Sequence, residues 1–117
     1  MERKAGRIRD RSTFRALGRP AGSASRGPVR ASYLPSSSPT DNLARVGYVI
    51  GRRCGNAVHR NRLRRRCRAA AREATSAVPP GNYLLRTEPE AALLGYADLS
   101  RAVREAMAAA ADRAAGR

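Results

Sequence analysis

Two hydrophobic periods alternate along this chain. Val29, Ala31 and Tyr33 are interleaved with Arg30 and Ser32, and residues 45–50 read RVGYVI. Both fit the two-residue repeat of half-buried strands. Beyond Asn56 the period lengthens, and Leu63, Cys67, Ala70 and Ala74 fall on one side of a helix that runs to about Ala74. Pro79, Pro80 and Gly81 punctuate it, and residues 82–87 supply a third strand through YLLR. Asp98 is placed to cap a last helix with Leu99, Val103, Met107 and Ala110 along one face. Near the start, Ser12 can cap a short helix in which Phe14 and Leu17 share a side, stopped by Gly18 and Pro20. Residues 21–28, rich in Gly, Ala and Ser, read as a loop, and residues 35–42 as a polar turn. The order helix, strand, strand, helix, strand, helix predicts an α+β fold. It is a two-layer α/β sandwich, a small sheet with helices packed on it. At 117 residues the chain reads as one domain spanning 1–117, with residues 1–11 a flexible basic N-terminus.

Charge sharpens this picture. Lys and Arg number 24 against 9 Asp and Glu, a formal +15, and lysine occurs once, at Lys4. Residues 51–68, GRRCGNAVHRNRLRRRCR, hold eight arginines and no acid. On the predicted helix Asn61, Arg64, Arg65, Arg68 and Arg72 lie opposite the apolar stripe, and Arg62 and Arg66 flank it. The pairs Arg60–Arg64, Arg64–Arg68 and Arg68–Arg72 repel at i,i+4 spacing without an acidic partner. An external polyanion would relieve that repulsion. In the preceding turn Gly55 permits an unusual backbone, Asn56 can cap the helix, and Arg52, Arg53, Arg60 and Arg64 can surround its N-terminus.

Other chemistries find little support. There is no GxxxxGK[ST] loop, no apolar run of membrane-spanning length and no hydrophobic signal core, so the chain is expected in the cytoplasm without a membrane partner. Cys54 and Cys67 with His59 fall short of a four-ligand metal site. Cys67 is expected buried, and Cys54, beside a turn, partly exposed. Asp10, Asp41 and Asp98 sit in separate segments, so a protein-borne two-metal nuclease centre is not expected, and His59 reads as a surface residue rather than a general base.

The run RRCGNAVHRNRLRRRCR resembles the signature of the protein component of bacterial ribonuclease P. Arg52, Arg53, Gly55, Asn56, Ala57, Val58, Arg60, Asn61, Arg64, Arg65 and Arg68 match it position by position. RVGYVI resembles the family's strand into the motif, RIRDRSTFRAL its first helix, and PPGNYLLR with the terminal helix the remainder. The resemblance implies a fold like the second domain of ribosomal protein S5, with a left-handed β-α-β crossover, although general topology favours the right-handed form. It implies that RNA is the catalyst and that the holoenzyme hydrolyses a phosphodiester to free the 5′ leader of precursor tRNA. Magnesium ions would be bound mainly by the RNA. The implied partners are one catalytic RNA per protein and precursor tRNA. Arg52, Arg53, Asn56, Arg60, Asn61, Arg64, Arg65, Arg68 and Arg72 would bind the catalytic RNA. Phe14, Tyr33, Arg9 and Arg11 would meet the leader. The family's second aromatic of the first helix is replaced here by Gly18. Two other classes share the charge. A general RNA-binding protein leaves the GNAVxRN spacing unexplained, and a major-groove reader would need more than arginine on its helix.

Overall fold

The computed structural model, which describes residues 5–8, 10–38 and 40–116, forms a five-stranded sheet with three helices. In chain order these are β1 (Ala5–Arg7), α1 (Arg11–Ala16), β2 (Gly22–Arg26), β3 (Val29–Leu34), β4 (Ala44–Ile50), α2 (Ala57–Ala74), β5 (Gly81–Thr87) and α3 (Tyr96–Ala114). Short 3-10 turns at Arg52–Cys54 and Pro89–Leu93 precede α2 and α3. The strand order is β1-β4-β5-β3-β2, with β4 parallel to both β1 and β5, and β3 antiparallel to β2 and β5. The sheet is therefore mixed, and α2 is the crossover between the parallel neighbours β4 and β5.

Strand alternation divides the side chains between two faces. Val46, Tyr83, Leu85, Ala31, Tyr33 and Ala24 point to one face and meet Leu63, Cys67, Ala70 and Ala74 of α2 and Leu99, Val103, Met107 and Ala110 of α3 in the main core. Leu84 points the other way, beneath Ile8 and Leu17, in a second small cluster that seats α1. Sheet and helices thus form two main layers, and the far side of the sheet is only partly covered. Both helical stripes read from the sequence face inward as expected.

Four expectations are corrected. Residues 21–28, read as a loop, form β2 and its turn into β3, with Gly27 at φ +56°. The strand was hidden because GSASR has none of the β-branched or aromatic residues that announce one. Small residues are needed here because α3 lies directly on it. A Cβ at Gly22 would sit 2.6 Å from the Ala114 backbone nitrogen. The segment expected to be a flexible terminus contributes β1, paired through backbone with Ala44–Val46, a contact that leaves no side-chain period. The α1 cap is Asp10, whose carboxylate accepts from the Thr13 backbone N–H at 3.2 Å and from the Ser12 and Thr13 hydroxyls. The Ser12 bond first, then Thr13, holds the Asp10 carboxyl below its usual range. Helix α3 begins earlier than Asp98, after Gly95, leaving Asp98 in its first turn beside the positive end of the dipole.

The close seating of α3 on β2 is testable. Gly22→Ala should cost roughly 1–3 kcal/mol, as overpacking does in other cores, read as a lower thermal midpoint. Gly51→Ala, whose added carbon meets nothing within 4 Å, should leave the midpoint unchanged. A Gly22→Ala protein as stable as the parent would show that the helix and strand are further apart than described.

Candidate nucleic-acid interface

Helix α2 starts where β4 ends in the 3-10 turn Arg52–Cys54. Gly55 then turns the chain at φ +118°, a region side chains disfavour, and a Cβ there would lie 2.9 Å from that of His59. Asn56 caps the helix, its Oδ1 accepting from the His59 N–H at 3.0 Å. Leu63, Cys67, Ala70, Ala71 and Ala74 are buried, and every arginine of α2 is left on the remaining circumference.

These arginines occupy three sides. Arg60, Arg64 and Arg68 recur every four residues on the flank toward the β4 edge. Asn61, Arg65 and Arg72 form the crest, and Arg62 and Arg66 the flank toward the Pro89–Leu93 turn. Among the described residues no arginine of α2 has a carboxylate partner; the ion pairs are Arg45–Asp41 and Arg53–Glu88 at 3.4 Å. The one acid of α2, Glu73, instead accepts from the hydroxyls of Tyr96 at 3.0 Å and Ser100 at 3.1 Å, tying α2 to α3.

Several arginines are aimed by neutral neighbours. Asn61 Oδ1 accepts from Arg64 at 3.0 Å. The Arg68 guanidinium lies 5.9 Å from the centroid of the Tyr48 ring, within cation–π range. Tyr48 is half-buried, and burial pushes its phenol up to about 12, so it stays neutral beneath that cation. Arg60 is half-buried, and its Nε is buried with no protein acceptor. A donor left this way costs free energy until an acceptor arrives. Asn61, Arg64, Arg65 and Arg68, with exposed Val58, border an open hollow of about 460 Å³ on the crest.

A second concavity, of about 160 Å³, lies between α1, the β4 edge and α2, lined by Arg7, Ile8, Phe14, Tyr48, Arg64 and Arg68. Phe14 is 38% exposed and lies over Gly47, where a Cβ would come 2.7 Å from its Cζ. The missing side chain of Gly47 lets the ring lie against the sheet. Tyr33, expected beside it, is elsewhere. It is only 7% exposed, its ring centroid is 4.8 Å from that of Tyr83, and its hydroxyl donates to the Pro80 carbonyl at 2.7 Å. The strand's alternation turns it into the core, so Tyr33 offers no face to a base. Arg11 is exposed on α1, and Arg9 lies outside the described residues.

Sequence reasoning missed Arg30 and Arg86. They are direct partners across β3 and β5 and project from the open face, continuing to Val49 opposite Arg86 on β4. Alternation held the signal, since Leu85 inward puts Arg86 outward. Arg52 and Arg53 border Val49 and Arg86 in turn. Cys54, expected partly exposed, is buried, its thiol 3.6 Å from the Thr87 carbonyl. Cys67 is buried too, which pushes its thiol up to about 11. Among the described residues no group of three His, Cys, Asp or Glu could hold a metal ion.

Comparison with known proteins agrees with this geometry. The family model described as Ribonuclease P matches residues 1–111. The ribonuclease P protein component of a Nocardioides species is 40% identical over 98 residues, covering 83% of this chain and 84% of the relative. That of Micrococcus luteus is 37% identical over 105 residues, covering 81% and 80%. In fold, the RNase P protein from Thermotoga maritima superposes with a TM-score of 0.74 at 18% identity, over 86% of this chain and 94% of that one. The Staphylococcus aureus RNase P protein gives 0.73 at 18%, over 88% and 93%.

Replacing Arg64 and Arg68 with Ala should weaken binding to a ribonuclease P RNA and lower the slope of log affinity against log salt by about 2. Both side chains lie off the buried stripe, so the thermal midpoint should hold. An unchanged affinity and slope would mean that this flank meets no phosphate.

Proposed function

The chain belongs to the ribonuclease P protein family, and we propose that its two basic surfaces divide the work of the holoenzyme. It is the protein subunit of ribonuclease P, which binds RNA and serves the processing of precursor tRNA, while the RNA subunit is catalytic. The arginines of α2, left without carboxylate partners, carry the reading of which surface meets the catalytic RNA. Arg52, Arg53, Asn56, Arg60, Asn61, Arg64, Arg65, Arg68 and Arg72 supply the guanidinium forks and amides for its phosphates.

The leader of precursor tRNA passes through the hollow beside Phe14 and along the open face of the sheet. Phe14 supplies a ring for stacking, while Arg11, Arg30 and Arg86 supply charge, a combination that holds single strands without reading their sequence. In the reaction water attacks the phosphodiester at the leader junction, leaving a 5′-phosphate on the tRNA and freeing the leader. Magnesium belongs to the RNA subunit in this reading. The described carboxylates do not fit a two-metal centre, because Asp10 caps α1, Asp41 pairs with Arg45, and Asp98 sits on α3. This chain's own contribution is to neutralise, orient and hold. One protein serves one RNA. The β4-α2-β5 crossover is left-handed, as in the second domain of ribosomal protein S5. No described helix is long and apolar enough to cross a membrane.

Purified protein should leave precursor tRNA intact, yet raise its cleavage by a bacterial ribonuclease P RNA at low magnesium. Correct 5′ maturation with normal turnover by an RNA-free preparation would overturn the division of labour. For the leader, Phe14→Ala should weaken holoenzyme binding of precursor tRNA by about 1–3 kcal/mol, the worth of a base–aromatic stack. Mature tRNA should bind as before. Equal losses for both tRNAs would assign Phe14 to packing α1 on the sheet.

A further inference from the structure

The flank of α2 turned away from β4 faces a separate hollow, on the side of the Pro89–Leu93 turn. It measures about 440 Å³, within the range of pockets that hold small ligands. Leu63, Leu94 and Ala92 contribute apolar side chains to its floor and walls, beside Cys54. Its rim is His59, Arg62 and Arg66, spaced along one side of the helix, with no carboxylate among the lining residues. Arg66 donates to the Leu94 carbonyl, so one rim cation is fixed in place across the mouth. Arg62, one turn earlier, is exposed and has no ion-pair partner among the described residues. Next to the lining residues Ala92 and Leu94, Leu93 stands 85% exposed on the Pro89–Leu93 turn, an apolar residue left uncovered by the described residues.

An apolar floor under a cationic rim has a definite complement. A bare phosphate would suit the rim but gain nothing from the floor, and an apolar group would leave the guanidinium groups unmatched. An unstacked nucleotide satisfies both, its base against the floor and its phosphate between Arg62 and Arg66. Splayed single-stranded bases held this way are a common mode of RNA recognition. We infer that the hollow between α2 and the Pro89–Leu93 turn is a pocket for one extruded, unpaired nucleotide of the catalytic RNA. The inference rests on the assignment of α2 to that RNA, because Arg62 and Arg66 share the helix with the crest arginines. It adds a base-sized contact to an interface otherwise made of phosphate contacts.

Ala92 is an exposed lining residue, so Ala92→Trp fills the hollow without removing charge. The experiment compares wild type, Ala92→Trp and Ala92→Ser for binding to a ribonuclease P RNA across a salt series. Base reactivity of the RNA is probed chemically in each complex, and a thermal melt confirms that the variants fold. Ala92→Trp should bind about tenfold more weakly, the worth of one buried base. Its salt slope should fall by no more than about 1, the worth of the single phosphate on the rim, and one unpaired base protected by wild type should become reactive. Ala92→Ser should behave as wild type, and Arg62→Ala should lower the slope by about 1. Wild-type affinity for Ala92→Trp, or weaker binding with no base changing reactivity, would overturn the pocket. Failure of the wild-type protein itself to bind the RNA would overturn the assignment of α2, a result separable from the first.

Discussion

The structure depends on holding down a helix that repels itself. Four i,i+4 arginine pairs on α2 each cost a few tenths of a kcal/mol. Its first turn carries no acid to complement the dipole, and Arg52 and Arg53 crowd the same end. No carboxylate of the described chain pairs with its arginines. What opposes this is the buried stripe. Burial of Leu63 alone is worth about 1.5–3 kcal/mol, and Cys67, Ala70, Ala71 and Ala74 add to it. Packing therefore exceeds the repulsion, and the helix can present unneutralised charge without unwinding. A polyanion docking on it gains that relief in addition to its direct contacts.

The packing works because the residues are small. α3 lays Ala106, Ala110 and Ala111 toward the sheet, and β2 answers with Gly22 and Ala24, close enough that one added carbon at Gly22 would clash. On the opposite face Gly47 does the same for Phe14, whose ring lies where a side chain would otherwise stand. In one place the missing atoms let a helix approach the sheet. In the other they let an aromatic ring lie flat at the edge of a cleft and remain partly exposed. Fold and interface use the same device on opposite faces of one sheet.

What could be read in the sequence followed side-chain period and local motif. The stripe of α2, the face of α3, strands β3, β4 and β5 and the Asn56 cap were all legible, because each writes a pattern into neighbouring residues. β1 and β2 were not. Backbone pairing defines the first and close approach of α3 the second, and neither requires hydrophobic side chains. The same division holds for the interface. The arginine helix announces itself, whereas Arg30 and Arg86 become neighbours only when β3 and β5 pair from distant parts of the chain. Tyr33 was misplaced for the complementary reason. The family resemblance gave it a surface role, but its parity on β3, shared with Val29 and Ala31, sends it under the helices, against Tyr83.

Charge is also distributed by face, and the distribution limits how RNA can approach. The exposed side of α3 mixes signs, with Asp98, Glu105 and Asp112 among Arg101 and Arg104, as a surface suited to water does. Glu73 is turned to the hydroxyls of α3. Beginning at α2 and passing around the β4 edge to Arg86 and Arg30, the described acids at hand are engaged, Glu88 beside Arg53, Asp41 with Arg45 and Asp10 in the α1 cap. A polyanion is thus drawn to a band covering α2 and the open face, with α3 outermost. Two RNA segments, one along the helix and one along the sheet, can share that band without competing for the same arginines. Tyr48 joins them, its ring beneath Arg68 of the helix and its strand bordering the hollow of Phe14.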